Sequence, residues 1–182
     1  MKQAFLLLSF CLFAGLAQAQ AISKSELLKQ LLTLEAAVLK EDKQKVAEYF
    51  LFPINNETLK LKVEYDGEKE ITITKFDRAT FLKNYASIIS ADFVELFRQL
   101  DLSQLKGKSK IAKEYVPKAK TDFCTYNYEV AIEKGEVKIH FLLNNRDDIK
   151  LSEEDFCPEY AEFWTFEVIK GKLKFKGLDI AG

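Results

Sequence analysis

Apolar residues recur at helical spacing over the first third of the chain and alternate with polar ones over the last third. In "SELLKQLLTLEAAVLK", from Ser25, the residues Leu27, Leu28, Leu31, Leu34 and Val38 fall at helical intervals. Ser23 or Ser25 is placed to cap that helix by accepting a backbone N–H bond. "EDKQ" then interrupts the apolar pattern, and Asp42 reads as the cap of a short second helix, "KQKVAEYF", which stops before Pro53. "TLKLKVEYDGEKEITIT" changes period: Leu59, Leu61, Val63 and Tyr65 alternate with polar residues, Asp66-Gly67 is a favoured turn dipeptide, and Ile71 and Ile73 follow, which predicts a hairpin. Asp77 is positioned to cap "RATFLKNYASII", with Phe81, Leu82, Tyr85, Ile88 and Ile89 on one face, and "ADFVELFRQLDL" extends or follows that helix.

Residues 105–120 are Lys-rich and read as a loop with a short strand near Ile111–Val116. Two long hairpins come next. "FCTYNYEVAI-EKGE-VKIHFLL" and "YAEFWTFEVI-KGK-LKFKGLDI" each hold two alternating runs joined through a Lys-Gly turn. They echo one another without forming a solenoid, because the first hundred residues carry no such period. Helices first and antiparallel strands later make this an α+β chain.

The segments "AVLKEDKQKVAEYFLFPI" (36–54), "ITKFDRATFLKNYASII" (73–89) and the terminal hairpins ending "GKLKFKGLDIAG" occur in an order that resembles the NTF2-like (cystatin-like, SnoaL-type) superfamily. The resemblance spans nearly all of residues 20–182. It implies one α+β domain over that range, with a curved antiparallel sheet wrapping the N-terminal helices into a cone. It implies no one activity, since the superfamily holds isomerases, dehydratases, polyketide cyclases and many non-catalytic binding or accessory domains.

Composition adds a compartment. "MKQAFLLLSFCLFAGLAQAQ" begins with Lys2, runs apolar from Ala4 to Leu16 and ends in the small-x-small sequence Ala17-Gln18-Ala19. The apolar run falls short of the roughly 20 residues that span a bilayer. Residues 1–19 therefore read as a secretory signal peptide, and the mature protein as secreted or periplasmic with no membrane attachment. Cys11 follows bulky Phe10, which does not fit a lipoprotein cleavage box. The 27 Lys and Arg residues balance 28 Asp and Glu residues, so the basic footprint of a nucleic-acid binder is absent. Asn56–Thr58 is a formal glycosylation sequon, relevant only in a eukaryotic secretory route.

Cleavage would leave two cysteines, Cys124 and Cys157, each in the tripeptide Asp-Phe-Cys. An even count in an exported chain favours a disulfide over two free thiols. Two Cys and one His fall short of the four ligands of a structural zinc site, so no metal is expected. No P-loop, dinucleotide fingerprint, HExxH or GxSxG occurs, and no cofactor is expected.

Candidate chemistry sits on the aromatic strands. Tyr126 and Tyr128 share a face with Cys124, Val130 and Ile132, and Tyr160, Glu162, Trp164, Phe166 and Val168 share another. If those faces line the cone, they form a ligand pocket in which Glu162 is a general acid or base and Tyr126 or Tyr128 polarises a carbonyl. The plainer alternative is packed core, with Glu162 near a strand end, solvated or paired to a lysine. His140 lies on the less apolar face of its strand and reads as a partly exposed sheet residue. The Lys-rich tract 105–120 and the acidic tract 147–162 read as solvated loops, or more sharply as a partner surface. Lys172, Lys174 and Lys176 mark an outer strand face.

The leading expectation is a non-catalytic exported domain that binds a small apolar ligand or a protein partner. The alternatives are a small cofactor-independent isomerase or dehydratase using a pocket carboxylate, and an accessory subunit that homodimerises through the outer sheet face.

Overall fold

Two helices open the structure because their ends are capped locally. α1 (Lys24–Leu39) starts where the Ser23 side chain accepts the Glu26 backbone N–H, and α2 (Lys43–Ala47) where the Asp42 carboxylate accepts that of Lys45. The computed structural model describes residues 22–55, 64–66, 69–71, 75–119, 122–150 and 156–182. The signal segment 1–19, the sequon Asn56–Thr58, Gly67, the strand positions Leu59, Leu61, Val63 and Ile73, and Asp155 lie outside the described residues.

Beyond α2 come β1 (Ile54–Asn55), β2 (Glu64–Asp66), β3 (Lys69–Ile71) and β4 (Lys75–Phe76). β1 pairs antiparallel with β4, and β2 with β3. The register sets Asp66 opposite Lys69, so Asp66 is a strand residue rather than part of the turn that the Asp-Gly dipeptide suggests.

The helix expected from Arg78 to Ile89 is broken in two. α3 (Arg78–Lys83) is capped by Asp77, and α4 (Tyr85–Ile88) follows after Asn84. The Asn84 side-chain amide donates to the Thr80 carbonyl at 3.0 Å, a local bond that competes with continued helix. Phe81, Tyr85, Ile88 and Ile89 are buried all the same. α5 (Ala91–Gln99) is a separate helix capped by Ser90, and a 3-10 turn (Leu102–Lys106) buries Leu102 and Leu105.

A five-stranded antiparallel sheet completes the chain: β5 (Lys110–Tyr115), β6 (Cys124–Glu133), β7 (Glu136–Asn145), β8 (Tyr160–Ile169) and β9 (Lys172–Ala181), in that spatial order. Both long hairpins close through the expected two residues. Lys134 and Gly135 (φ 50° and 84°) join β6 to β7, and Lys170 and Gly171 (φ 50° and 73°) join β8 to β9. Positive φ at both positions is the geometry whose twist suits a two-residue hairpin. A bulge between Thr165 and Phe166 shifts the β8–β9 register.

Alternation decides which sheet face meets the helices. Tyr128, Val130, Val137, Ile139, Phe141, Trp164, Phe166, Leu173 and Phe175 are buried and join one core with Leu27, Leu31, Leu34, Phe50, Phe81, Phe93 and Phe97 from the helical half. Phe93 meets Trp164 at 4.4 Å between ring centres, and Phe50 meets Phe175 at 4.8 Å. Gln30 of α1 ties helix to sheet by donating to the Gly171 carbonyl and accepting the Leu173 N–H.

On the opposite face, Lys110 pairs with Glu129, Lys138 with Glu133, and Lys176 with Glu136 and Glu167. Lys174 instead reaches the carbonyl of Glu48, the residue that caps the C-terminus of α2. His140 sits in that outer face, 3.5 Å from Glu129 and edge-on to Phe163. Burial holds its pKa below the usual histidine value, against the opposing pull of Glu129.

Candidate functional site

Cys124 and Cys157 form a disulfide, with their Cα atoms 5.0 Å apart. It joins the entry of β6 to the approach of β8 and thus staples the two hairpins. Local bonds set both ends. Asp122 accepts the Cys124 N–H and the Tyr126 hydroxyl, and the Asn145 side chain accepts the Cys157 N–H. Phe156, beside the bridge, is 64 % exposed.

The Lys-rich and acidic tracts meet at this bridge through Arg146, a residue the charge pattern did not single out. Its guanidinium is buried. Nη1 donates to the carbonyls of Pro117, Ala119 and Asp122, while Nε and Nη2 grip Asp148 as a fork. Arg146 therefore joins the two tracts.

The aromatic-strand candidates all come from neighbouring inner-face positions, and the structure divides them. Trp164, Phe166 and Tyr128 are core, whereas Tyr126 and Tyr160 are half-buried. Glu162 is 5 % exposed, and among the described residues it pairs with no lysine. It accepts three hydrogen bonds: from Tyr160 Oη at 2.7 Å, Trp164 Nε1 at 2.9 Å and Ser90 Oγ at 3.2 Å. Ser90 Oγ in turn accepts the Phe93 N–H as the cap of α5. Glu162 thus locks the N-terminus of α5 to β8. Burial among aromatics, which an acid–base role would need, is present; two of the three bonds fall on Oε2 and one on Oε1, which leaves Oε1 a further acceptor position.

Asp92, in the first turn of α5, belongs to the same neighbourhood. Burial, then the charges of Glu162 and Glu95, raise its pKa. Burial likewise raises Tyr160, reinforced by the hydrogen bond to Glu162, and Tyr128, reinforced by the charges of Glu95 and Asp92; it also raises Tyr126, with Asp122 adding to it. These phenols keep their protons, and Tyr126 and Tyr160 donate to Asp122 and Glu162. Asp92 carries no periodicity signal in the sequence, because its importance comes from a strand some 70 positions later.

Three concavities lined by described residues lie elsewhere. One, of about 650 Å³, runs along α1 and is lined by Lys24, Ser25, Leu28, Lys29, Leu32, Thr33, Ala36, Leu105 and Lys106. A second, of about 610 Å³, is polar and lies where Gln30, Lys45, Glu48, Arg78, Lys172 and Lys174 converge. The third, of about 190 Å³, is lined by Glu114, Asp147, Asp148 and asparagines near Arg146. Among the described residues no cluster of three or more His, Cys, Asp or Glu could hold a metal ion, and no helix is long and apolar enough to cross a membrane.

The groove along α1 has a simple sequence origin. Leu27, Leu31, Leu34 and Val38 face the core, and a second apolar row, Leu28, Leu32, Ala36 and Leu39, is turned about 100–180° from Leu27 at about 100° per residue. The Leu27-Leu28 and Leu31-Leu32 doublets therefore make α1 apolar over more of its circumference than one core contact covers. Leu28 is buried, Leu32 half-buried, Ala36 exposed, and Leu39 39 % exposed. The 3-10 turn supplies the far wall through Leu105. No protein-family model matches the chain, and a search of the curated proteins finds no match.

Proposed function

We propose that this chain is a non-catalytic, exported domain of NTF2-like type that binds a small apolar ligand, and that the ligand lies in the groove between α1 and the 3-10 turn. The carrying observation is that Leu32 and Ala36, on the second apolar row of α1, stay uncovered beside the buried Leu28 and Leu105 in a concavity of about 650 Å³. That volume falls within the range of ordinary small-molecule sites, which are mostly apolar with a few polar groups. The disulfide, and a core closed around Trp164 and Phe166, suit a rigid binding scaffold in an oxidising compartment. The bonds that tie Glu162 to Tyr160, Trp164 and Ser90 support a scaffold role.

The test is titration of the mature protein with the neutral fluorophore N-phenyl-1-naphthylamine. Saturable binding is expected, weakened at least about tenfold by Leu32→Glu, since a charge in an apolar site costs more than 1.4 kcal/mol. Ala36→Glu, at an exposed position, gives the same loss without disturbing the core. Absence of saturable binding, or indifference to both substitutions, would overturn the reading.

A cofactor-independent enzyme is a second reading, with the carboxyl moved from the expected Glu162 to Asp92, which is half-buried in the first turn of α5 with its pKa raised by burial and by the charge of Glu162. It requires turnover that Asp92→Asn abolishes while folding is retained.

A further inference from the structure

The groove along α1 is not uniform from end to end. Lys24, Ser25 and Lys29 stand in the first two turns of the helix, and Leu32 and Ala36 follow in the next two. From Lys29 the helix runs about 10 Å to Ala36 and about 15 Å to the exposed Leu39 of the same row, at about 1.5 Å per residue, long enough to lay out an extended acyl chain. Lys106, on the opposite wall, makes no ion pair or hydrogen bond among the described residues, and Lys29 has only a loose 3.9 Å contact with Glu26. Lys24 is occupied, donating to the Lys108 carbonyl. No carboxylate lines this groove. A cationic end joined to an apolar trough matches a molecule with the reverse arrangement, an anionic head on an apolar chain.

We infer that the occupant of this groove is a free single-chain fatty carboxylate, its head group held by Lys29 and Lys106 and its chain lying over Leu28, Leu32 and Ala36. The inference rests on the binding role proposed above and specifies the chemistry of its ligand. The lysines are exposed, so each contributes modestly and is screened by salt. Dodecanoate is therefore expected to bind about tenfold more tightly than dodecanol at low ionic strength, a preference that shrinks toward unity at about 0.5 M salt.

The experiment is calorimetric titration of the mature protein with submicellar dodecanoate and, separately, dodecanol. It is repeated on the double variant Lys29→Gln, Lys106→Gln, whose two sites are exposed and whose melting temperature checks the fold. Loss of the preference in the double variant, with dodecanol binding unchanged, is the expected result. Equal affinity for acid and alcohol, or a preference that survives the double substitution, overturns the inference but leaves apolar binding standing. Failure of both ligands to bind overturns both. A concentration-dependent dimer abolished by Ala36→Glu, with neither ligand competing, identifies a second copy as the occupant and also overturns the inference.

Discussion

Replacing Glu162 by alanine removes the acceptor for three donors at once, and the three donors differ in what they can do next. The hydroxyls of Ser90 and Tyr160 can rotate, and Ser90 still caps α5 through its oxygen. The Trp164 Nε1–H cannot turn away, and Trp164 is 1 % exposed, so it is left without a partner. An orphaned buried donor costs about 1–3 kcal/mol and each lost hydroxyl bond about 0.5–1.5 kcal/mol, partly offset because the two hydroxyls can find other partners. The net expectation is about 3 kcal/mol of lost stability, or roughly 6–12 °C in Tm for a chain of this size. Glu162→Gln is the control. Its amide oxygen can keep the Trp164 and Ser90 bonds while its NH2 group faces Tyr160, whose hydroxyl can turn to accept, so about 1 kcal/mol is expected. The chain has one tryptophan, so urea unfolding followed by Trp164 fluorescence reports on the altered site directly. A Glu162→Ala protein that melts within about 1 °C of the parent, or a glutamine variant as damaged as the alanine one, would refute the assignment of Glu162 as the anchor of α5.

Three further expectations concern other parts of the fold. Reduction of the Cys124–Cys157 bridge, which closes a separation of 33 residues, should cost roughly 3–4 kcal/mol on the chain-entropy account, measured as the shift in urea midpoint with and without reductant. His140 has its pKa lowered by burial, so its neutral form stabilises the fold above the ordinary histidine range, and that stability is lost as pH falls from there through the depressed pKa. Stability measured between pH 7 and 5 should therefore fall less steeply in His140→Gln, and an unchanged slope would contradict the assignment. Arg146→Lys keeps the charge but cannot fork to Asp148 while holding three carbonyls. It should lower Tm and open residues 117–122 to limited proteolysis, and a parental cleavage pattern would count against the clamp.

Local features of this fold can be read from the chain, and the links between distant segments cannot. Ser23, Asp42 and Asp77 cap helices where the sequence places them, because capping needs only the next three residues. The Lys-Gly turns and the shared faces of β6 to β9 follow from period two and a two-residue connection. Asn84 breaks a helix whose apolar pattern is continuous, since a side-chain bond to Thr80 leaves no mark on hydrophobic periodicity. The Ser90–Glu162 bond spans 72 positions, and Arg146 reaches Pro117 across 29; neither has a local signature. The groove lies between these cases. Its floor is visible as leucine doublets in α1, whereas its far wall depends on Leu105 folding back from the 3-10 turn.

The central claim is that an apolar ligand occupies the α1 groove and not the aromatic face of the sheet. Methyl-resolved NMR during titration with N-phenyl-1-naphthylamine tests this most directly. The account predicts the largest shifts at the methyls of Leu28, Leu32, Ala36 and Leu105, with those of Leu143, Ile139 and Val168 on the inner sheet face unmoved. Shifts concentrated on Leu143 and its neighbours beside Tyr126, Tyr160 and Glu162, with α1 silent, would contradict it.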